Sequence, residues 1–147
     1  MPDKGKVQEY LQVQVKTASK EQLLLMLLDG AVRFIEVGRD HMARGNREAK
    51  SELLLKAQNI ILELIQSLNP AVGEALYKNL IGLYKFIYRR LVEGNLRNDA
   101  VLLDEGLKIL LNVRETWRQA VATWRSGTGV NTPVHSQAPI QNLSLQA

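Results

Sequence analysis

The chain has 147 residues, 46% hydrophobic and 23% charged, with a formal net charge of +4, the composition of one ordinary globular domain able to close a core. Cysteine is absent, which excludes disulfides, thiolate metal sites and cysteine nucleophiles. No apolar run approaches the ~20 residues of a membrane span, and the start, MPDKGKVQEY, lacks the apolar core of a signal peptide, so a soluble, cytoplasmic protein is expected.

Residues 1–18 begin polar and then alternate through Val13, Gln14, Val15 and Lys16, with Tyr10 and Leu11 before them. They are too short to fold alone and are expected to form an arm that packs back on the body. Ser19 followed by Gln22 is a capping-box signature, and Glu21 lies in the first turn, where negative charge favours the helix dipole. Helix one is predicted from Lys20 to about Arg44, with Leu24, Leu27, Ala31, Phe34 and Ile35 at helical spacing. Its run of Leu23, Leu24, Leu25, Met26, Leu27 and Leu28 is wider than the ~100° arc of a helix wet on one side. Neighbours on more than one side are expected. Gly45 and Asn46 stand where a C-terminal glycine and the next cap belong.

Helix two is predicted from Arg47 to Leu68. Leu53, Ala57, Ile60, Leu64 and Leu68 form its stripe, Leu54, Ile61 and Ile65 widen it, and Glu52 with Lys56 makes a favourable i, i+4 pair. Asn69-Pro70 stops the chain and restarts it. Helix three follows from about Val72 to Glu93, with Leu76, Leu80, Leu83, Ile87 and Leu91 on one stripe and Tyr77, Tyr84 and Tyr88 beside it. Gly94 to Asn98 reads as the third connection, with Asn98 or Asp99 capping helix four. That helix, about Ala100 to Arg125, carries Leu103, Leu107, Leu110, Trp117, Val121 and Trp124. Residues 126–147 contain no Asp, Glu, Lys or Arg and no periodicity, and are expected to be a disordered tail. The expected fold is all-α: an antiparallel four-helix bundle over 19–125, with the arm at 1–18 and the tail at 126–147.

Chemistry is scarce. A carboxylate-bridged metal site in a bundle needs Glu-x-x-His pairs facing inward. The two histidines do not provide them, since His41 has Gly38 three residues before it and His135 lies in the tail. No glycine-rich phosphate loop or G-x-S-x-G elbow occurs. Asp29 is expected to hold a neighbouring helix by a hydrogen bond from a buried or half-buried position. No enzyme, metal or cofactor is expected. Arg114, Arg118 and Arg125 line one face of helix four, and Lys85 and Arg89 part of helix three. Such faces can hold phosphates, but acidic residues are interspersed along them, as on solvated faces. A basic nucleic-acid-binding module and a homodimerising helical adaptor are therefore the alternatives.

The apolar excess on helices one to three is more informative. Two explanations stand level on periodicity alone. The arm, the tail or a second copy covers this surface, or a groove receives an amphipathic helix from a partner through i, i+3, i+4 and i+7 anchors.

Several blocks, in order, resemble the flagellar secretion chaperone family FliS. They are Tyr10 with Val15-Lys16-Thr17-Ala18-Ser19, Met26-Leu27-Leu28-Asp29-Gly30-Ala31, Lys56-Ala57-Gln58-Asn59-Ile60-Ile61, Asn79-Leu80-Ile81-Gly82-Leu83-Tyr84 and Thr116-Trp117. The chain departs from the family at Lys20, Leu28 and Gly94, where proline, tyrosine and alanine are usual. The resemblance implies an ATP-independent export chaperone that binds the C-terminal segment of flagellin in the cytoplasm, prevents premature polymerisation and aids type III secretion. The flagellar export gate is a further implied partner, with no nucleic acid and no membrane insertion, and a monomer or weak homodimer when free of client. The family's arm, matching Tyr10 to Val15 and so including Val13, implies a cap that client displaces. The expected groove takes Leu53, Ala57, Ile60, Ile61 and Leu64 from helix two and Leu80, Tyr84, Ile87 and Tyr88 from helix three. Some of these must be core, since adjacent stripes cannot all face one way. Lys56, Gln58 and Asn79 match polar positions of the family and either fix client register or bond within the bundle.

Overall fold

The capping box at Ser19 forms: the Ser19 hydroxyl accepts from the Gln22 amide at 3.2 Å, and the Gln22 side-chain carbonyl accepts from the Ser19 amide at 3.0 Å. A computed structural model describes residues 19–125 and the isolated Gly5. The expected arm, with Tyr10, Val13 and Val15, and the expected tail lie outside the described residues. From Ser19 the chain runs through α1 (Lys20–Ala43), α2 (Arg47–Ser67), a 3-10 turn (Pro70–Val72), α3 (Glu74–Arg97) and α4 (Ala100–Arg125).

The helices form a ring in which α1 and α3 each pack on α2 and α4. Cross-helix contacts give the directions. Asp29 meets Arg114 and Arg118 while Arg39 meets Asp104, so α1 and α4 are antiparallel. Gly94 lies against Leu103 and Gly106 against Arg90, which sets α3 against α4 in the same sense. The all-α four-helix bundle expected from the stripes is the observed architecture.

The width of the first apolar run has the cause expected of it. Leu23, Leu24, Leu27, Leu28, Ala31 and Val32 are all buried, because α2 covers one side of α1 and α4 the other. Leu28 is fully enclosed, so the departure from tyrosine there is a core substitution and leaves the surface unchanged. On α2 the centre of the stripe is Leu54, with Leu53 only half-buried. Gly38 of α1 makes room: a Cβ there would lie 3.1 Å from Leu54 Cδ2.

The connections differ from expectation in two places. Asn46 precedes α2 but its side chain makes no cap; it turns back to the His41 ring at 3.3 Å, leaving reversal to Gly45 at φ +79°. Gly94 does not end α3. The helix continues to Arg97 and stops at Asn98, a left-handed residue with φ 54°, a conformation asparagine tolerates. Asp99 then caps α4, its carboxylate accepting from the Val101 amide at 2.9 Å. Asn69 caps the 3-10 turn in the same way through the Ala71 amide.

Candidate partner-binding groove

The seam between α3 and α4 changes character along its length. Near the connecting turn it closes on glycine. A Cβ on Gly94 would fall 2.6 Å from Leu103 Cδ2, and one on Gly106 would fall 3.1 Å from Arg90 Cβ, so a methyl clashes at the first position and is tight at the second. Arg90 seals this end from outside, paired with Glu105 at 3.0 Å and Glu93 at 3.4 Å, its guanidinium 5.0 Å from the Phe86 ring centroid. About three turns further on, bulk replaces glycine. Trp117 Nε1 donates to the Tyr84 hydroxyl at 3.2 Å, both rings buried, and burial pushes the Tyr84 phenol far above its ordinary pKa.

Alongside this pair the seam opens outward into an apolar groove of about 370 Å³. Leu76, Leu80 and Leu83 of α3 form one wall, and Ile109, Val113, Trp117 and Ala120 of α4 the other, with Asn112 and Thr116 as the polar members. The Thr116 hydroxyl is committed to the Asn112 carbonyl at 3.0 Å. Leu76 and Leu83 are 45% and 39% exposed, and Phe86 continues the strip on α3. Large apolar side chains held open along three turns, with almost no polar group to satisfy, suit an apolar ligand segment.

Of the residues expected to form a groove, Leu80 lines this one. Ala57, Ile60, Ile61, Leu64, Tyr84 and Ile87 are enclosed in the bundle interior, and Gln58 is buried with them. Leu53, Lys56 and Tyr88 are half-buried and Asn79 is exposed. The Lys56 ammonium lies 5.7 Å from the Phe34 ring centroid on α1. The α4 wall was missed. Its signal is a second stripe, Ile109, Val113, Thr116 and Ala120 at i, i+4, i+7 and i+11, offset from the stripe of Leu103, Leu110 and Trp117 that fills the core.

Part of the charged surface is engaged within the bundle. Asp29 is exposed, not buried as expected, because it sits on the α1 edge facing α4. It nonetheless bridges helices, accepting from Arg114 at 3.4 Å and Arg118 at 3.3 Å. Lys50 is the one buried lysine among the described residues. It donates to the Asn95 carbonyl and the Asn98 side-chain oxygen, each at 3.0 Å, clipping α2 to the C-terminal end of α3, and burial followed by the nearby Arg47 lowers its pKa. Among the described residues no three His, Asp or Glu side chains are placed to hold a metal ion, and no helix is long and apolar enough to cross a membrane.

Residues 3–124 match the family model described as flagellar protein FliS. The chain is 37% identical over 116 residues to the flagellar secretion chaperone FliS of Bacillus subtilis, covering 79% of this chain and 86% of the relative. It is 38% identical over 118 residues to the Salmonella typhimurium chaperone of that name, covering 77% and 87%, and 34% identical over 119 residues to the Escherichia coli one, covering 78% and 88%.

Proposed function

This chain belongs to the FliS family of flagellar proteins, and on that footing we propose that it is a flagellar secretion chaperone whose client is the C-terminal segment of flagellin. The observation that carries the proposal beyond the family is the open groove between α3 and α4. A segment that polymerises through apolar helical contacts must have those contacts covered until export. A rigid bundle with a preformed apolar groove does this by mass action alone: the client's side chains bury on Leu76, Leu83 and Ile109 and are withdrawn from one another. Each large aliphatic side chain so buried contributes ~1.5–3 kcal/mol, against which the ordering of the client is set. The net affinity is therefore moderate for the area covered, which permits release at the export apparatus without ATP. Cytoplasmic residence and a contact with the flagellar export gate belong to the same proposal.

Asn79 and Tyr88, exposed and half-buried on α3, extend the proposed client surface, and Leu53 and Lys56 give it a second, half-buried patch on α2 next to α1. Ala57, Gln58, Ile60, Ile61, Leu64, Tyr84 and Ile87 stand behind them and shape the surface from within. Tyr10, Val13 and Val15 belong to the removable cap that client displaces. The arginine faces that would serve a nucleic acid are partly spent on Asp29, Glu93 and Glu105.

The test is a titration with the last ~40 residues of the same organism's flagellin, a length set by the ~1.5 Å rise per residue needed to run along a bundle face, followed by circular dichroism. Helicity beyond the sum of the parts, lost in Leu83→Asp, supports the proposal. Ellipticity that stays additive at micromolar concentrations would remove it.

A further inference from the structure

The α3–α4 groove opens toward the end of the bundle at which α4 finishes: Ala120 is on its wall, and Arg125 ends the helix. The sequence that follows, residues 126–147, differs in chemistry from everything before it. It has no Asp, Glu, Lys or Arg, yet it carries Val130, Val134, Ile140, Leu143 and Leu145. A segment of this kind loses no ionic hydration when it enters an apolar groove. Its first residues, Ser126-Gly127-Thr128-Gly129, supply two glycines, the residue type that reverses a chain at least steric cost. Pro133 and Pro139 lack the N–H donors that a groove with so few polar groups would leave unsatisfied, and they favour an extended path.

The lengths agree. From Ala120 back to Ile109 the α4 wall is roughly 17 Å at ~1.5 Å per residue. An extended chain covers that in about five residues at ~3.3 Å each, so a segment that reverses near Gly129 reaches the closed end of the groove well before residue 140. We propose that residues 126–147 fold back over the α3–α4 groove and cover it in the client-free protein. The occupant is the chain's own C-terminal segment. Its regulatory consequence rests on that groove being the client surface: the apparent affinity for flagellin is the intrinsic one reduced by the fraction of molecules left uncovered.

The experiment keeps the full chain and reads uptake of the apolar dye 1-anilinonaphthalene-8-sulfonate. In Val134→Asp/Ile140→Asp, dye uptake rises, by about tenfold if the segment covers the groove about nine-tenths of the time, and falls back when Leu83→Asp is added. Both substituted segment residues lie outside the bundle, and unchanged helicity and melting temperature verify that the fold is intact. Unchanged uptake overturns the proposal. So does a rise seen only in Val13→Asp/Val15→Asp, which assigns the groove to the arm, or wild-type uptake that rises on dilution, which assigns it to a second copy. The same double variant binds the flagellin segment more tightly by the factor the dye reports. A rise in dye uptake with no flagellin binding in any variant leaves the covering segment standing and removes only the client assignment.

Discussion

Two glycines on α3 give opposite answers to the same substitution. Gly82 is exposed and a Cβ there meets nothing within 4 Å. Gly82→Ala therefore gains helix propensity alone and stabilises the bundle by up to about 1 kcal/mol. Gly94→Ala gains the same propensity but places its methyl 2.6 Å from Leu103 Cδ2, 3.0 Å from Leu103 Cγ and 3.2 Å from the Asp99 carbonyl oxygen. Neither neighbour has anywhere to go. Leu103 is fully buried, and the Asp99 backbone is held by the hydrogen bond that its N–H donates to the Gly94 carbonyl at 2.9 Å and by its own role as the cap of α4. Overpacking of this kind costs ~1–3 kcal/mol, so Gly94→Ala is expected to be destabilising by about 1 kcal/mol net. For a domain of this size that lowers the melting temperature by roughly 3–5 °C, while Gly82→Ala raises it by a similar or smaller amount. Thermal unfolding followed at 222 nm reads both. A Gly94→Ala melting temperature at or above wild type would refute the close approach of α3 and α4, and with it the argument that the seam opens only beyond the glycines. Recovery of stability in Gly94→Ala/Leu103→Ala relative to the sum of the single changes would identify the clash.

Other consequences are smaller or more local. Tyr84→Phe removes the acceptor of the buried Trp117 bond and is expected to be destabilising by about 1–2 kcal/mol in urea unfolding with unchanged m-value. Asp29→Asn breaks two bridges that are half-exposed, so it should cost less than about 1 kcal/mol, and less still in high salt. Lys50 has a lowered pKa in the fold, so just below the ordinary lysine range the unfolded chain binds the extra proton. Stability through this group therefore rises with pH across that window and is level below it. The difference between wild type and Lys50→Met, followed from pH 8 to 10.5, should show that rise; a flat or falling difference would contradict the burial assigned to the ammonium.

Most of the helix boundaries and the number of helices were legible in the sequence because they are local chemistry, although the cap expected of Asn46 does not form. Ser19 with Gln22, Asn69 before Pro70, and Asp99 each bond backbone amides within three residues. The end of α3 was not legible. Glycine between two helices reads as a break, but Gly94 is there for the proximity of Leu103, a residue of the next helix. The choice between Leu53 and Leu54 as the centre of the α2 stripe turns on the same kind of fact, since both are leucine and only the space beside Gly38 selects Leu54. The groove was half legible. Leu76, Leu80 and Leu83 belong to a stripe that periodicity identifies, but periodicity gives the arc of a helix and not which neighbour fills it. Ile60, Ile61 and Ile87 are equally apolar and stood among the groove candidates, some of which had to be core; the ring of four helices encloses all three. Asp29 was expected to be buried or half-buried because leucines surround it in sequence; it does hold a neighbouring helix, but from an exposed position, through arginines that come from α4.

The central claim is that flagellin is held along the groove between α3 and α4. Methyl-labelled protein titrated with the flagellin C-terminal segment tests it most directly. The account predicts that the methyl signals of Leu76, Leu83, Ile109 and Ala120 shift together and saturate at one equivalent, with the exposed Val37 of α1 and Leu111 of α4, neither of which lines the groove, unmoved. Shifts centred on Leu111 and Val37, or none at all at saturating peptide, would contradict it.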